Sequence, residues 1–148
     1  GAAAMAVTTT MYGLFMSSLA NKEIDLDTDT IKVMLCTSAY TPNQDTHQYK
    51  SSVTNEITGT GYTAGGATLA SVTVGYTTGT NTFKFDAADT QWATSTLTAR
   101  YAVVYDASPG SDATRPLICY VDFGADVSTT AGPFDIIWNA AGIFTGTV

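Results

Sequence analysis

Basic residues are scarce in this sequence. Six Lys and Arg stand against thirteen Asp and Glu, a formal net charge of -7, so the cationic footprint that a phosphate backbone requires is missing and nucleic acid is not expected as a partner. There is a single histidine, His47. Any Ser-His-Asp or Cys-His triad would have to use it, yet no nucleophile elbow or reactive-cysteine signature accompanies it. No apolar run of about 18 residues and no basic-then-apolar leader occurs, so neither a membrane span nor a signal peptide is expected, and the chain reads as soluble and not secreted. Cysteine is nearly absent too. Cys36, in TIKVMLCTSA, and Cys119, in LICYVDF, both fall in expected strands; a bridge between adjacent strands is conceivable, and two buried free thiols are the preferred reading.

What is abundant is Thr and Gly, with only 13% charged residues, a composition suited to strands and turns. The length of 148 residues suits one domain, taken as 5–148, with the leading GAAA set aside as a cloning remnant. TTTMYGLFMSSLANKE places Tyr12, Phe15, Met16 and Leu19 at helical spacing behind a Thr cap and before Asn21, although Gly13 weakens it. Beyond it, strands are expected at 30–38, 67–76, 82–86, 96–106, 117–123, 134–138 and 143–145. TTGTNT should connect a hairpin, and the stretch from Ala39 to Ile57 is the longest without clear structure. The expected fold is mainly β: an antiparallel β-sandwich or jelly-roll-like barrel with one short N-terminal helix.

Several short motifs imitate functional sites. GTGYTA (59–64) fits the G-x-G-x-x-[GA] string of dinucleotide loops, but SSVTNEIT before it is no buried parallel strand and GGATLASVTVGYTTGTN after it is poor helix. It reads as glycines serving positive φ or close strand approach, ahead of a strand near Ala67. DLDTD (25–29) imitates an EF-hand, but Thr30 stands where Gly is needed and Cys36 where the bidentate Glu belongs; the acids are expected to cap a turn. Asp122 and Asp135, a conceivable carboxylate pair, fall on the polar positions of their strands. Trp92, Trp138 and the tyrosines raise a sugar-stacking option, whereas Tyr101, Tyr105 and Tyr120 sit inside strands as core or cross-strand pairs. No catalytic residue, cofactor or metal ligand is assigned, and no enzyme is expected.

The blocks IDLDTDTIKVML, TSAYTPNQDTH, TGTGYTAGGATL, ARYAVVY and PLICYVDFGADVSTTAGPFDIIWNAAGIF together resemble a family of small virion structural proteins of tailed bacteriophages, from about Met5 to Phe144. The association is with head decoration, or cement, proteins. The resemblance implies a non-enzymatic protein on the outer capsid surface, made in the bacterial cytoplasm, bridging capsomers by contact with the major capsid protein and present as a homo-oligomer on the virion. A carbohydrate-binding module at a tail or fibre position is the alternative. Two segments are the expected contact surface: Met5–Leu19, through Met11, Tyr12 and Phe15, because its apolar side exceeds what a small domain buries, and the Pro-interrupted loop from Tyr40 to Tyr49, through Tyr40, His47 and Tyr49.

Overall fold

A computed structural model describes residues 3–148. The molecule is mainly β and sandwich-like, with several antiparallel sheets and one short helix. Its centre is a five-stranded sheet built from β2 (Thr10–Met11), β3 (Ile31–Cys36), β4 (Ala67–Thr68), β8 (Thr98–Asp106) and β9 (Leu117–Ser128), in the order β2-β9-β8-β3-β4. Val33 lies beside Val104 and Val104 beside Cys119, while Leu35 lies beside Ala102 and Ala102 beside Val121. The pleat sends all of these to one face. Met34, Val103 and Tyr120 form a row on the other.

Two smaller sheets close over the first face. One pairs β1 (Ala3–Val7) in parallel with β10 (Gly132–Trp138), and β10 antiparallel with β7 (Thr90–Ser95). The other has the order β11-β6-β5, with β5 (Thr73–Thr77), β6 (Thr82–Asp86) and β11 (Phe144–Thr147). Trp92, Phe134, Ile136, Trp138, Phe85 and Phe144 from these sheets share one buried cluster with Val33, Leu35, Val104 and Val121. The opposite face of the large sheet is covered as well. Tyr40 and Val53 from the 39–57 loop, with Tyr12, pack on Met34, Cys36, Val103, Tyr105 and Leu117. Coverage on both sides is why β3 reads as a nearly unbroken apolar run instead of alternating.

The hairpin at TTGTNT forms as expected, Thr77 facing Thr82. The expected strand over 67–76 is divided instead: β4 ends at Thr68 and β5 begins at Thr73, with Ser71 at φ 54° between them. The N-terminal helix is shorter than its periodicity. Thr10 and Met11 pair with Tyr120 and Cys119, the Tyr12 N–H continues that ladder to the Ile118 carbonyl, and α1 spans only Phe15–Ala20 before the expected stop at Asn21. β-branched Thr8–Thr10 and Gly13 oppose helix, and the free edge of β9 offers those backbone groups partners. β1 and β7 were not expected. Residues 1 and 2 of the segment set aside as a remnant lie outside the described residues, while Ala3 and Ala4 pair with Phe134 and Asp135.

Both thiols are buried and free. Cys36 is on β3 and Cys119 on β9, with β8 between them, and they serve the two different clusters, so no adjacent-strand bridge is available. Among the described residues no helix is long and apolar enough to cross a membrane.

Candidate functional site

GTGYTA is a turn. Glu56 holds it: one carboxylate oxygen, Oε2, accepts from the Tyr62 hydroxyl (2.6 Å) and the Gly65 N–H (2.7 Å). Gly61 and Gly66 both have φ of 86°, and a Cβ at either would run into the carbonyl oxygen of Thr94 or of Val33. The chain goes on into β4, not into a helix, so no helix N-terminus is presented to a phosphate. The aspartates cap a turn, as expected. Asp25 Oδ1 accepts from the N–H groups of Asp27 and Thr28 (3.1 Å each), and Asp29 Oδ2 from that of Asp25 (3.0 Å). Among the described residues no group of three or more His, Cys, Asp or Glu is placed to hold a metal ion. Asp122 and Asp135 are in different sheets, the first paired with Arg100 (2.9 Å) and the second accepting from Gln91 (2.7 Å).

The two segments expected to form a contact surface bond to each other. The Tyr12 and Tyr40 hydroxyls lie 2.8 Å apart and the Tyr40 hydroxyl meets His47 Nδ1 at 2.9 Å, with the Tyr40 and His47 rings stacked; when Tyr40 donates to Nδ1, its oxygen is left to accept from Tyr12. The Asn43 N–H also points at Nδ1 (3.3 Å), which assigns Nδ1 as acceptor and the ring proton to Nε2. Burial, and then its bond to Tyr40, raise the Tyr12 pKa far above the ordinary phenol value; burial pushes Tyr40 up to about 12 and lowers that of His47. Gln44 adds bonds to the Met11 carbonyl (2.9 Å) and, through its own carbonyl, from the Gly13 N–H (2.9 Å). Tyr49 donates to Glu23 (2.7 Å), and Gln48 to Ser18 (3.1 Å).

This changes the role of several candidates. Tyr12, Phe15 and Tyr40 are fully buried in the chain's own core, so their side chains hold the N-terminal segment and the loop onto the sheet and are not a free surface. The loop folds back over Tyr12, Phe15 packs into the other cluster, and Met16 and Leu19 keep part of the segment's apolar side open. His47 and Tyr49 are half-buried parts of the same fastening.

A mostly apolar concavity lies elsewhere, between α1 and the β5-β6-β11 sheet. It is a groove of about 510 Å³. Met11, Phe15, Met16 and Leu19 form one wall; Tyr76 and Phe83 form the other. Phe144 lies at its base, its ring 5.3 Å from both Phe15 and Phe85. Across Leu19 and Phe83 a second hollow of about 480 Å³ continues past Ile24 and Leu26 to Val74. The hairpin register explains the arrangement. Val74 faces Phe85 and Tyr76 faces Phe83, so the four side chains share one face of the sheet, and that face leaves the core as it approaches the hairpin tip. Phe85 is buried, Phe83 half-buried and Tyr76 52% exposed. On the other rim Met16 is 57% exposed. Apart from the Tyr76 phenol, no side chain lining the first groove is an acid or base, so it offers apolar area and shape, whereas the second hollow also borders Lys22, Asp25 and Asp27.

Of the residues named from the sequence, Met11 and Phe15 do line this groove. Met16, Leu19, Val74, Tyr76 and Phe83 were missed as a site. The available signal was the alternation of Val74 and Tyr76 on a strand with no charge to mark its solvent side. No family model, characterised protein or solved structure matches the chain.

Proposed function

We propose that this protein is a structural component of a tailed-bacteriophage virion, a head decoration protein that binds the outer capsid surface and bridges capsomers. The reading starts from the resemblance of five sequence blocks spanning most of the chain. The observation that carries it further is the groove beside α1. Met16 and Tyr76 stand exposed on opposite rims of a mostly apolar hollow, and exposed apolar side chains gathered around a concavity mark a contact surface for another protein. The partner in this reading is the major capsid protein. At a net charge of -7 the chain is repelled by packaged DNA, which favours the outside of the shell over its interior. The role involves no reaction and no cofactor.

The carbohydrate-binding alternative requires a platform of exposed aromatic faces. Trp92 and Trp138 are buried, and among the described residues Tyr76 is the one exposed aromatic side chain, so the observations favour decoration.

Co-sedimentation tests it. The protein should pellet saturably with mature heads and bind isolated capsid protein only weakly, since contacts to several subunits exist only on the assembled shell. Met16→Glu should weaken pelleting without loss of fold. Pelleting with tails but not heads would overturn the head assignment in favour of the tail or fibre role; pelleting with neither would overturn the virion role.

A further inference from the structure

Strand β5 ends its sheet. Among the described residues it pairs with β6 alone, and every residue of Thr73–Thr77 is exposed. Edges in soluble proteins are ordinarily guarded by an inward charge, a proline, a bulge or a covering segment. This one has none of these. Its register with β6 is unbroken, its sequence is TVGYT, and no charged residue occurs between Glu56 and Lys84.

We propose that β5 is the pairing edge for a second copy of this chain, joined antiparallel about a two-fold axis at Gly75; this gives the homo-oligomer of the virion reading its interface, and rests on that reading for its setting. In this register Gly75 meets Gly75 of the partner subunit, Thr73 meets Thr77 of the partner subunit, and Val74 meets Tyr76 of the partner subunit. Both large apolar residues of the strand thereby form β-branched–aromatic cross-strand pairs, twice over, and the threonines pair as well. A strand that is its own complement is what an isologous interface requires. Nothing lies within 4 Å of a Cβ built on Gly75, so the face of the sheet beside the axis is open.

Two chains each of net charge -7 repel over most of their surfaces, and this strand adds no charge of its own to the contact; beside it, Asp86 opposite Thr73 is paired with Lys84, and Lys22 stands with Asp25 and Asp27 in the hollow at Val74. The axis stands perpendicular to the resulting six-stranded sheet, so the grooves of both copies open on the same side of it. A particle surface would then meet two apolar grooves held in fixed relation, which raises the effective affinity of each weak contact.

Sedimentation equilibrium of the purified full-length protein, without virions, should show a monomer–dimer equilibrium. The double variant V74K/Y76K sets like charges directly opposite one another across the axis and should weaken association by about tenfold or more. Under oxidising conditions Gly75→Cys should form a disulfide-linked dimer far faster than Gly110→Cys, a control at another position with open space around it. This second readout decides the matter if the lysine variant folds poorly. A protein that is monomeric at every concentration, or Gly75→Cys linking no faster than Gly110→Cys, would overturn the pairing. A monomer that still pellets with heads removes the dimer and leaves the decoration role standing, whereas a dimer that pellets with no particle does the reverse.

Discussion

Asp106 is buried at the end of β8 with the carboxyl of Asp29 as its acidic neighbour, a setting in which a second negative charge disfavours ionisation of the first. Asp106 closes β8 opposite Ile31 and is fully buried; its Oδ1 accepts from the Ser108 N–H (3.0 Å), and among the described residues its Oδ2 has no hydrogen-bond partner. Burial first, and Asp29 second, push its pKa up to about 7.

An acid whose folded pKa lies above its unfolded value binds more protons folded than unfolded between the two values. Stability is therefore lost as pH rises from about 4 to 7 and stays low above that. Each unit of displacement corresponds to about 1.4 kcal/mol, so this pair accounts for a few kcal/mol in all. Urea unfolding at pH 5 and pH 8 should show the protein more stable at pH 5. Asp106→Asn, which puts no ionisable group in the buried position, should raise stability at pH 8 and flatten the profile; an unchanged slope would refute the raised pKa of Asp106.

Tyr40→Phe should cost more than its one missing atom implies. It leaves the Tyr12 hydroxyl, in full burial, without its acceptor, at a cost of roughly 1–3 kcal/mol. Adding Tyr12→Phe removes the orphaned group, so the double variant should be less destabilised than the two singles sum to. The same chain predicts an acid limb. The folded pKa of His47 is lowered by burial, so the stability of its neutral form is present above about 6.5 and is lost as pH falls through the folded value. His47→Gln should reduce that limb in the same titration.

Neither thiol should react with a water-soluble disulfide reagent until the protein unfolds. Burial pushes both Cys36 and Cys119 up to about 12, and the thiolate is the reactive form. Reductant should leave the melting temperature unchanged. Labelling of the native protein at the global unfolding rate would fit this; faster labelling would not.

The strands most easily read from the sequence were those whose side chains have unambiguous partners. IKVMLC, ARYAVVYD and LICYVDF are apolar because both faces of the large sheet are covered, and local composition records that. β7 was missed because TQWATS buries Thr90, Trp92 and Ser95 and exposes the rest, a pattern with too few branched aliphatics to stand out. β1 carries little signal in its sequence, since its parallel pairing with β10 is a contact across almost the whole chain. Two of the interface candidates, Tyr12 and Tyr40, lie in the core for a related reason. Tyr12 and Tyr40 look exposed beside polar neighbours, and only the return of the loop across the sheet buries them against each other. The groove depends on hairpin register and on how α1 lies over it, neither of which is a local property.

The glycines of GTGYTAGG separate nucleotide chemistry from geometry. Gly66→Ala forces a Cβ against the Val33 carbonyl at φ 86°, so strain and overlap act together. The variant should lose more than about 3 kcal/mol or fail to fold, while Gly79→Ala, with open space around it, should be close to neutral. A calorimetric titration of the wild type with NAD or ATP should show no binding. Micromolar affinity, or a Gly66→Ala protein as stable as the wild type, would contradict the turn reading.

Deleting residues through Leu19 distinguishes a contact arm from a core element. Were this segment only an arm, the remainder would stay a folded β protein that no longer pellets with heads. The structure argues against that. The deletion removes β1 from the side of β10, β2 from the edge of β9, the Tyr12 hydroxyl from Tyr40 and the Phe15 ring from Phe144. Truncating a buried phenylalanine alone costs about 3–5 kcal/mol, a large part of the 5–15 kcal/mol typical of a whole domain. The truncated chain should therefore show no cooperative thermal transition. Met16→Glu is the informative substitution instead, because Met16 is exposed on the rim of the groove and its loss should shift stability by no more than about 0.5 kcal/mol. A truncated protein that melts cooperatively would return the segment to the role of a detachable arm, and a Met16→Glu protein that melts normally yet pellets fully with heads would move the contact surface away from the groove.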